Sequence, residues 1–301
     1  MSTKKNLHLC CLMDCERVAR YAPDMGGPAS WDLSERAIRG FSKIILDRGL
    51  KGSFGIHPET AYQHRELFLE LADERVELYL QFHAGNFRGL EYPCYLGFYS
   101  RQDQMDIVGK AREDWIRAIG WAPKTYGAGG ISINDSTWMV LYELGFRQAT
   151  FLPERYYPKV SSVTVSGCPF PHHADARNRL VPGDLELYLI PVTINWRRGR
   201  WAQEAFSPID LRPEGGVDLD AHRDTIDQNI EKMLELDIPI KVIFIPTHNT
   251  QEYSDPENKV RRILEETLEY VVKAAETNGL NLVPATFEEV HLAAHGGKWP
   301  W

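Results

Sequence analysis

Unbroken apolar runs that end in polar residues constrain this chain more than any other feature. The first, Leu7 to Met13 within "NLHLCCLMDCE", leads directly into Asp14 and Glu16. "VELYLQFH", "FRQATFLP", "LELYLIPVTIN", "IKVIFIPTHN" and "LNLVPAT" repeat the pattern, and "KGSFGIHPE" and "PKTYGAGGISIN" are shorter versions of it. A strand that is apolar on both faces needs cover on both, as in a parallel sheet under helices. Between the runs, apolar residues recur at helical spacing. In "DLSERAIRGFSKIILDRGL" they are Ala37, Ile38, Phe41, Ile44 and Ile45, with Ser34 or Asp32 as the expected cap and Gly49 as the stop. "AYQHRELFLELADE", "SRQDQMDIVGKAREDWIRAIG", "DSTWMVLYELG" (capped by Asp135), "DAHRDTIDQNIEKMLELD" and "KVRRILEETLEYVVKAAETNG" read as further helices.

This alternation predicts an α/β fold: one domain over residues 1–301, a deformed (β/α) barrel of seven or eight parallel strands. A proline-bearing stretch at about 156–184 breaks the pattern and is expected to be a loop excursion across one face. The net charge of −8 argues against nucleic-acid or anionic-membrane partners. "RRGR" at 197–200 is too short to act as a binding arm. No apolar run reaches the roughly 20 residues of a membrane helix, and the N-terminal run reads as a first strand, not a signal peptide. Cys10, Cys11, Cys15, Cys94 and Cys168 contain no CxxC pair, which fits reduced thiols and a cytoplasmic location.

In a barrel of this kind, functional groups sit at the C-terminal ends of strands. The polar residues there are Asp14 and Glu16, His57, His83 and Asn86, Tyr126, and His248 and Asn249. Asp14 and Glu16 lie two apart, so both side chains can face one side. A solvated loop or a salt bridge to Arg17 or Arg20 is the bland reading of the pair. His83 is the first candidate for a metal ligand, against an ordinary strand-end histidine. Asn86 either orients substrate or makes the turn with Gly85. "PHHADAR" places His172 and His173 on the excursion, where they either fold over the mouth or are plain polar surface. Trp31, Tyr92, Tyr95, Tyr99, Trp196 and Trp201 lie in loop-like segments, where rings stack on sugars or, more commonly, pack. The terminal "WPW" docks on the domain, on another subunit, or on nothing. "GAGG" at 127–130 lacks dinucleotide-fingerprint spacing, and no P-loop or nucleophile elbow is present.

In this order, the strand-end groups resemble the polysaccharide deacetylase family (NodB homology domain) over roughly residues 6–155 and 185–290. "LHLCCLMDCE" stands at the family's first acidic strand end, and "VELYLQFHAGNF" at its metal-binding histidine motif. "IGWAPKTYGAGGISINDSTWMVLYELGF" follows its helix–Gly-x-x-Pro–strand–helix–Leu-Gly-Phe layout, and "VIFIPTHN" stands where its last catalytic histidine falls. The usual Asp-Asp pair is Asp14-Cys15-Glu16 here, Phe87 occupies the second histidine position, and Gly127 stands at the motif arginine.

The resemblance implies a hydrolase that removes an acyl group, N-acetyl first, from a sugar, nucleotide-sugar or glycan precursor. It implies a divalent metal, zinc first with cobalt, nickel, manganese or iron as alternatives. Asp14 and His83 would hold the metal with His57 as third ligand, although His248, His172 and His173 are also open for that place. Asp14, Glu16 and His248 would be catalytic, with the division between the two acids open. Asn86, Tyr126, His172 and Asn249 would bind substrate. Two other readings stand beside this one: hydrolysis of a small non-sugar or cyclic amide, and a metal-free carbohydrate-binding or scaffold protein. Self-association is left open.

Overall fold

The structure is a computed structural model that describes residues 5–21, 26–72, 75–89, 91–152, 155–156, 163–164, 167–196, 210–215 and 219–297. "RRGR", Trp201 and the terminal "WPW" lie outside the described residues. The strands are β1 (Asn6–Cys15), β2 (Gly52–Ile56), β3 (Val76–Phe82), β4 (Thr125–Ala128), β5 (Gln148–Phe151), β6 (Arg155–Tyr156), β7 (Val163–Thr164), β8 (His172–Ala174), β9 (Leu185–Pro191), β10 (Lys241–His248) and β11 (Asn281–Pro284). The helices are α1 (Trp31–Asp47), α2 (Pro58–Gln63), α3 (Arg65–Ala72), α4 (Arg101–Ile119), α5 (Thr137–Glu143), α6 (Leu219–Glu235), α7 (Lys259–Thr277) and α8 (Phe287–Ala294).

Nine strands form one sheet in the order β10-β1-β2-β3-β4-β5-β9-β8, with β11 also paired to β1. All of its pairings are parallel except β8 against β9. The sheet curls into a half-barrel with flanking helices. In place of a strand pair closing it, the Phe244 amide donates to Thr193 Oγ1 at 2.9 Å, joining β10 to the exit of β9. Among the described residues no helix is long and apolar enough to cross a membrane.

The two faces of β1 bury different layers, as a period of two requires. Leu7, Leu9, Cys11, Met13 and Cys15 join the large outer cluster with Ala37, Ile38, Phe41, Ile44 and Ile45 of α1. Cys10 and Leu12 face the barrel interior with Tyr79, Ile190, Val242, Phe244, Phe287 and Val290. Helix α8 passes beneath the N-terminal strand ends. Phe287 packs on Tyr79 at 5.7 Å and on Phe244 at 4.9 Å, and His291 meets Gln148 at the start of β5. Full burial of a side chain like Phe287 is worth roughly 1.5–3 kcal/mol.

Several local expectations are corrected. The cap of α1 is Ser30, whose Oγ accepts from the Leu33 amide; Asp32 and Ser34 lie two and four residues further in. "AYQHRELFLELADE" is two helices, α2 and α3, separated at His64. Asp135 caps nothing, because Ser136 begins α5 and the Asp135 carboxylate instead receives the Arg179 amide and guanidinium. The excursion is not all loop, since β8 within it joins the sheet. Helix α8 was not anticipated, although its Thr286–Glu289 capping box is a sequence-level start signal.

Gly40 shows why α1 docks where it does. A Cβ there would stand 2.4 Å from the Ser254 amide nitrogen and 2.5 Å from the Tyr253 carbonyl carbon. Gly to Ala inside a helix ordinarily gains about 1 kcal/mol. Here the obstacle is backbone, so overpacking of roughly 1–3 kcal/mol prevails. Gly40→Ala should therefore lower the midpoint of urea unfolding, and a raised midpoint would show that α1 is not held against this loop.

Candidate active site

One row of inward-facing residues crosses four strands. Tyr79 on β3 is in register with Gly55 on β2, Gly55 with Asp14 on β1, and Asp14 with His248 on β10. Because Gly55 has no side chain, Tyr79 reaches over it and donates its hydroxyl to Asp14 Oδ1 at 3.3 Å. On the other side, His248 Nε2 lies 4.0 Å from Asp14 Oδ2. His248 Nδ1 is held by Glu214 Oε1 at 2.5 Å. Glu214 sits on the short turn Pro213–Gly215, and its other oxygen accepts from Thr247 Oγ1 at 2.8 Å.

A second pair lies beyond the strand end. Glu16 Oε1 accepts from Gln81 Nε2 at 2.9 Å and meets His83 Nε2 at 2.9 Å. Glu16 Oε2, His57 Nε2, His83 Nδ1 and both amide atoms of Asn86 are buried without a hydrogen-bond partner.

These environments separate the three acids. Burial pushes the Asp14 carboxyl up to about 6, against the pull of His248. Burial also acts to raise Glu16, but the charge and hydrogen bond of His83 outweigh it and leave Glu16 below its ordinary value. Glu214 is lowered in the same way, with burial outweighed by the His248 hydrogen bond and charge. The imidazoles mirror this: burial favours their neutral forms, yet Glu16 holds His83 above its ordinary value and Glu214 does the same for His248. The site thus favours two ion pairs around an acid whose own shift goes the other way, upward, and which feels the charges of both pairs.

Asp14 and His248 open on a narrow cavity of about 60 Å³ whose other walls include Leu12, Phe151, Val192 and Arg212. The Arg212 guanidinium is clamped on buried Asp210 through Nε at 2.8 Å and Nη2 at 2.7 Å.

Of the residues picked from sequence, Asp14, Glu16, His83 and His248 come together. Five others stand elsewhere or act differently. Tyr126 points outward by strand parity, fully buried against Phe146 at 5.5 Å, so it is core and not a substrate contact. Asn249 is also fully buried. Its side chain receives the Glu16 amide, donates to the Glu16 carbonyl and donates to Ser34 Oγ, so it tethers the β1 exit without facing a ligand. His172 lies on β8, with Nδ1 on the Phe170 carbonyl at 2.7 Å and its ring edge-on to Phe151. His57 precedes α2, fully buried, stacked on Phe82 and 2.6 Å from Glu59 Oε2. Asn86 is nearly fully buried, and its carbonyl receives Arg17 Nη1 at 2.6 Å. The loop aromatics are mostly packing: Tyr92 stacks on Phe87 and meets Tyr99, Trp31 abuts His64, and Trp196 abuts Phe170.

Sequence reasoning missed Tyr79, Gln81, Glu214 and Arg212. The first two were recoverable, because they precede His83 in steps of two along β3. Glu214 lies 34 residues from its partner in a segment without periodicity, and nothing local announces it.

The residues present do not fit the Asp-His-His metal set that the resemblance implies. The second histidine position is Phe87, 1% exposed and packed between Phe82 and Tyr92. His83 Nε2 is engaged by Glu16. Asp14, His57 and His83 do not converge as a ligand set. The potential ligand atoms that do converge among the described residues belong to His173, Glu186, His291 and His295, at the opposite ends of the strands.

The row across Gly55 is testable. A Cβ on Gly55 would lie 2.6 Å from both Asp14 Oδ1 and the Tyr79 hydroxyl. Gly55→Ala should cost roughly 1–3 kcal/mol in denaturant unfolding. Tyr79→Phe should recover part of that loss, with a coupling on the order of 1 kcal/mol in the double-mutant cycle. Simple additivity would mean that the two residues do not meet.

No family model matches the chain, and no curated protein matches it in sequence. Solved structures match it over nearly its whole length. A protein named as a polysaccharide deacetylase from Mycobacterium smegmatis is 14% identical, with a TM-score of 0.62, 98% of this chain covered and 92% of the other. Puue allantoinase is 12% identical, with a TM-score of 0.61, 99% of this chain covered and 94% of the other. A protein named as a polysaccharide deacetylase from Pseudomonas aeruginosa PAO1 is 12% identical, with a TM-score of 0.57, 97% of this chain covered and 93% of the other. At these identities the likeness is one of fold: the chain has the deformed (β/α) barrel of the polysaccharide deacetylases.

Proposed function

We propose that this chain is a hydrolase that removes an acyl group, N-acetyl first, from the amide of a sugar, nucleotide-sugar or glycan precursor. The observation that carries the reading is the Asp14–His248 pair, 4.0 Å apart on adjacent strands, with Glu214 behind the imidazole.

Amide hydrolysis needs a base for water, positive charge for the carbonyl oxygen, and a proton for the departing nitrogen. Asp14 is the base: at about 6 its carboxyl is ionised near neutral pH and yet more basic than an ordinary carboxylate. His248, kept protonated by Glu214, is the acid that delivers a proton to nitrogen. His248 and Arg212 both line the cavity, but Arg212 is paired with Asp210, so the positive charge for the developing oxyanion comes from His248. The apolar side of the cavity suits the small acyl group, and the rest of the substrate extends outside. Glu16 and His83 form a neutralised pair beyond the strand end, outside the lining of this cavity. Since the mouth does not offer the expected ligand set, no step is assigned to a metal there.

Hydrolysis of a small cyclic amide is the second reading. The narrow cavity and the fold shared with an allantoinase favour it. A panel of N-acetylated sugars against small cyclic amides separates the two.

Asp14→Asn and His248→Ala should each lower kcat/KM by about 10²–10⁴-fold. The pH profile of kcat/KM should be a bell. Activity rises as Asp14 ionises through about 6, and falls as His248 loses its proton above the ordinary histidine value. Glu214→Gln removes the group that raises His248 and leaves the burial that lowers it, so the alkaline limb should move to lower pH. An alkaline limb that stays put in this variant, or full activity in Asp14→Asn, would overturn the assignment.

A further inference from the structure

We propose that His173, Glu186, His291 and His295 form a site for a divalent transition metal, zinc by preference, at the N-terminal end of the barrel, remote from the Asp14–His248 pair. The four residues come from three places: His173 from β8, Glu186 from β9, and His291 of α8 with His295, the C-cap of that helix, a turn apart. One potential ligand atom from each lies within 4.8 Å of all the others.

The geometry is that of a coordination shell. Glu186 Oε1 is 3.1 Å from His291 Nε2 and 3.1 Å from His295 Nε2, and the two nitrogens are 3.0 Å apart. Bonds of about 2.0–2.1 Å to a tetrahedral zinc put neighbouring ligand atoms roughly 3.3 Å apart. The triangle is therefore close to one face of that tetrahedron. His173 stands over it, its ring centroid 5.6 Å from that of His291 and 5.4 Å from that of His295. Small rotations bring its nitrogen to the fourth corner.

The surroundings orient the rings as ligands require. His173 Nδ1 donates to the Leu185 carbonyl at 3.1 Å, which leaves Nε2 as the lone-pair nitrogen. His291 Nδ1 is 2.7 Å from the side-chain amide of Gln148. Gln148 Nε2 faces the ring and Gln148 Oε1 accepts from Thr125 Oγ1, which also donates to Glu77; ligation through His291 Nε2 requires this amide turned over, so that Oε1 accepts the Nδ1 proton and the NH2 donates to Thr125 Oγ1. His291 is fully buried, and the other three ligands are partly covered. Three imidazoles and one carboxylate suit zinc better than the hard cations calcium and magnesium. With four protein ligands the shell is closed, so the site is structural. It ties α8, the helix beneath the interior, to the edge strand β8 and its neighbour β9.

The test uses the whole chain without a histidine tag, stripped by chelator and titrated with zinc calorimetrically and in thermal melts. About one zinc should bind per chain with micromolar or tighter affinity. Excess zinc should raise Tm by on the order of 5 °C. Cobalt in its place should give the intense visible absorption of a tetrahedral centre. His295→Gln and Glu186→Gln alter partly exposed side chains, and both should lose the zinc-dependent Tm shift while His83→Ala keeps it. No zinc binding to the stripped protein would overturn the proposal. So would a shift retained in both ligand variants, or one lost only in His83→Ala, which would place the metal at the mouth. If one ligand variant does not fold, the other decides.

Discussion

The alternation along β1 is the constraint on which the rest of the structure depends. Its odd residues belong to the helix layer and its even ones to the interior. Asp14 and Glu16 share the even set, so a strand that buries both faces also delivers two carboxylates to one place. A slip of one residue would drive both acids into the packing of α1, at the cost of unpaired buried charge. Register and site are therefore set by the same pattern, and the fold cannot form with its acids facing elsewhere.

Burial then decides what each acid does. Glu16 and Glu214 each hold an imidazole within hydrogen-bond distance, and Asp14 does not. A buried carboxylate with a close cationic partner stays ionised, whereas one with only a tyrosine hydroxyl and a more distant imidazole is driven toward its neutral form. Three acids within one mouth thus divide into two fixed anions and one that exchanges a proton near neutral pH. The absence of a Gly55 side chain maintains this division, because it keeps Tyr79 on Asp14 and leaves the His248 side open to the cavity.

Parity and spacing explain what the sequence revealed and what it did not. The half-barrel, its eight parallel strands, and the meeting of Asp14, Glu16, His83 and His248 follow from apolar runs with polar ends, which are local signals. Tyr126 shows that a strand end means little without its parity: at the exit of β4 it is Gly127 that faces inward, while Tyr126 packs outward. Asn249 shows that a polar residue at a strand end can serve the backbone as readily as a ligand. Glu214 and Arg212 were invisible, since their turn joins β10 through side chains alone and leaves no periodic trace. His173 was seen only as part of a polar pair; its partners Glu186, His291 and His295 are brought to it by β9 and by a helix whose eight residues carry too little periodicity to stand out.

The two ends of the barrel divide the demands that a single metal centre at the mouth would combine. At the mouth, Phe87 fills the place of a ligand with a ring packed between Phe82 and Tyr92. In the proposed hydrolysis, base strength comes from desolvation of Asp14 and positive charge from His248. Both sources need a dry, rigid mouth, because a carboxylate that reaches water falls back to its ordinary value. Rigidity at the mouth depends on what lies beneath it. Tyr79, which holds Asp14, rests on Phe287 of α8, and α8 is the helix that presents His291 and His295 to the sheet edge. The path from the histidine cluster to Asp14 is thus one helix and one tyrosine long. A metal that fixed α8 would act on the reaction through the position of Tyr79, while touching no reacting atom.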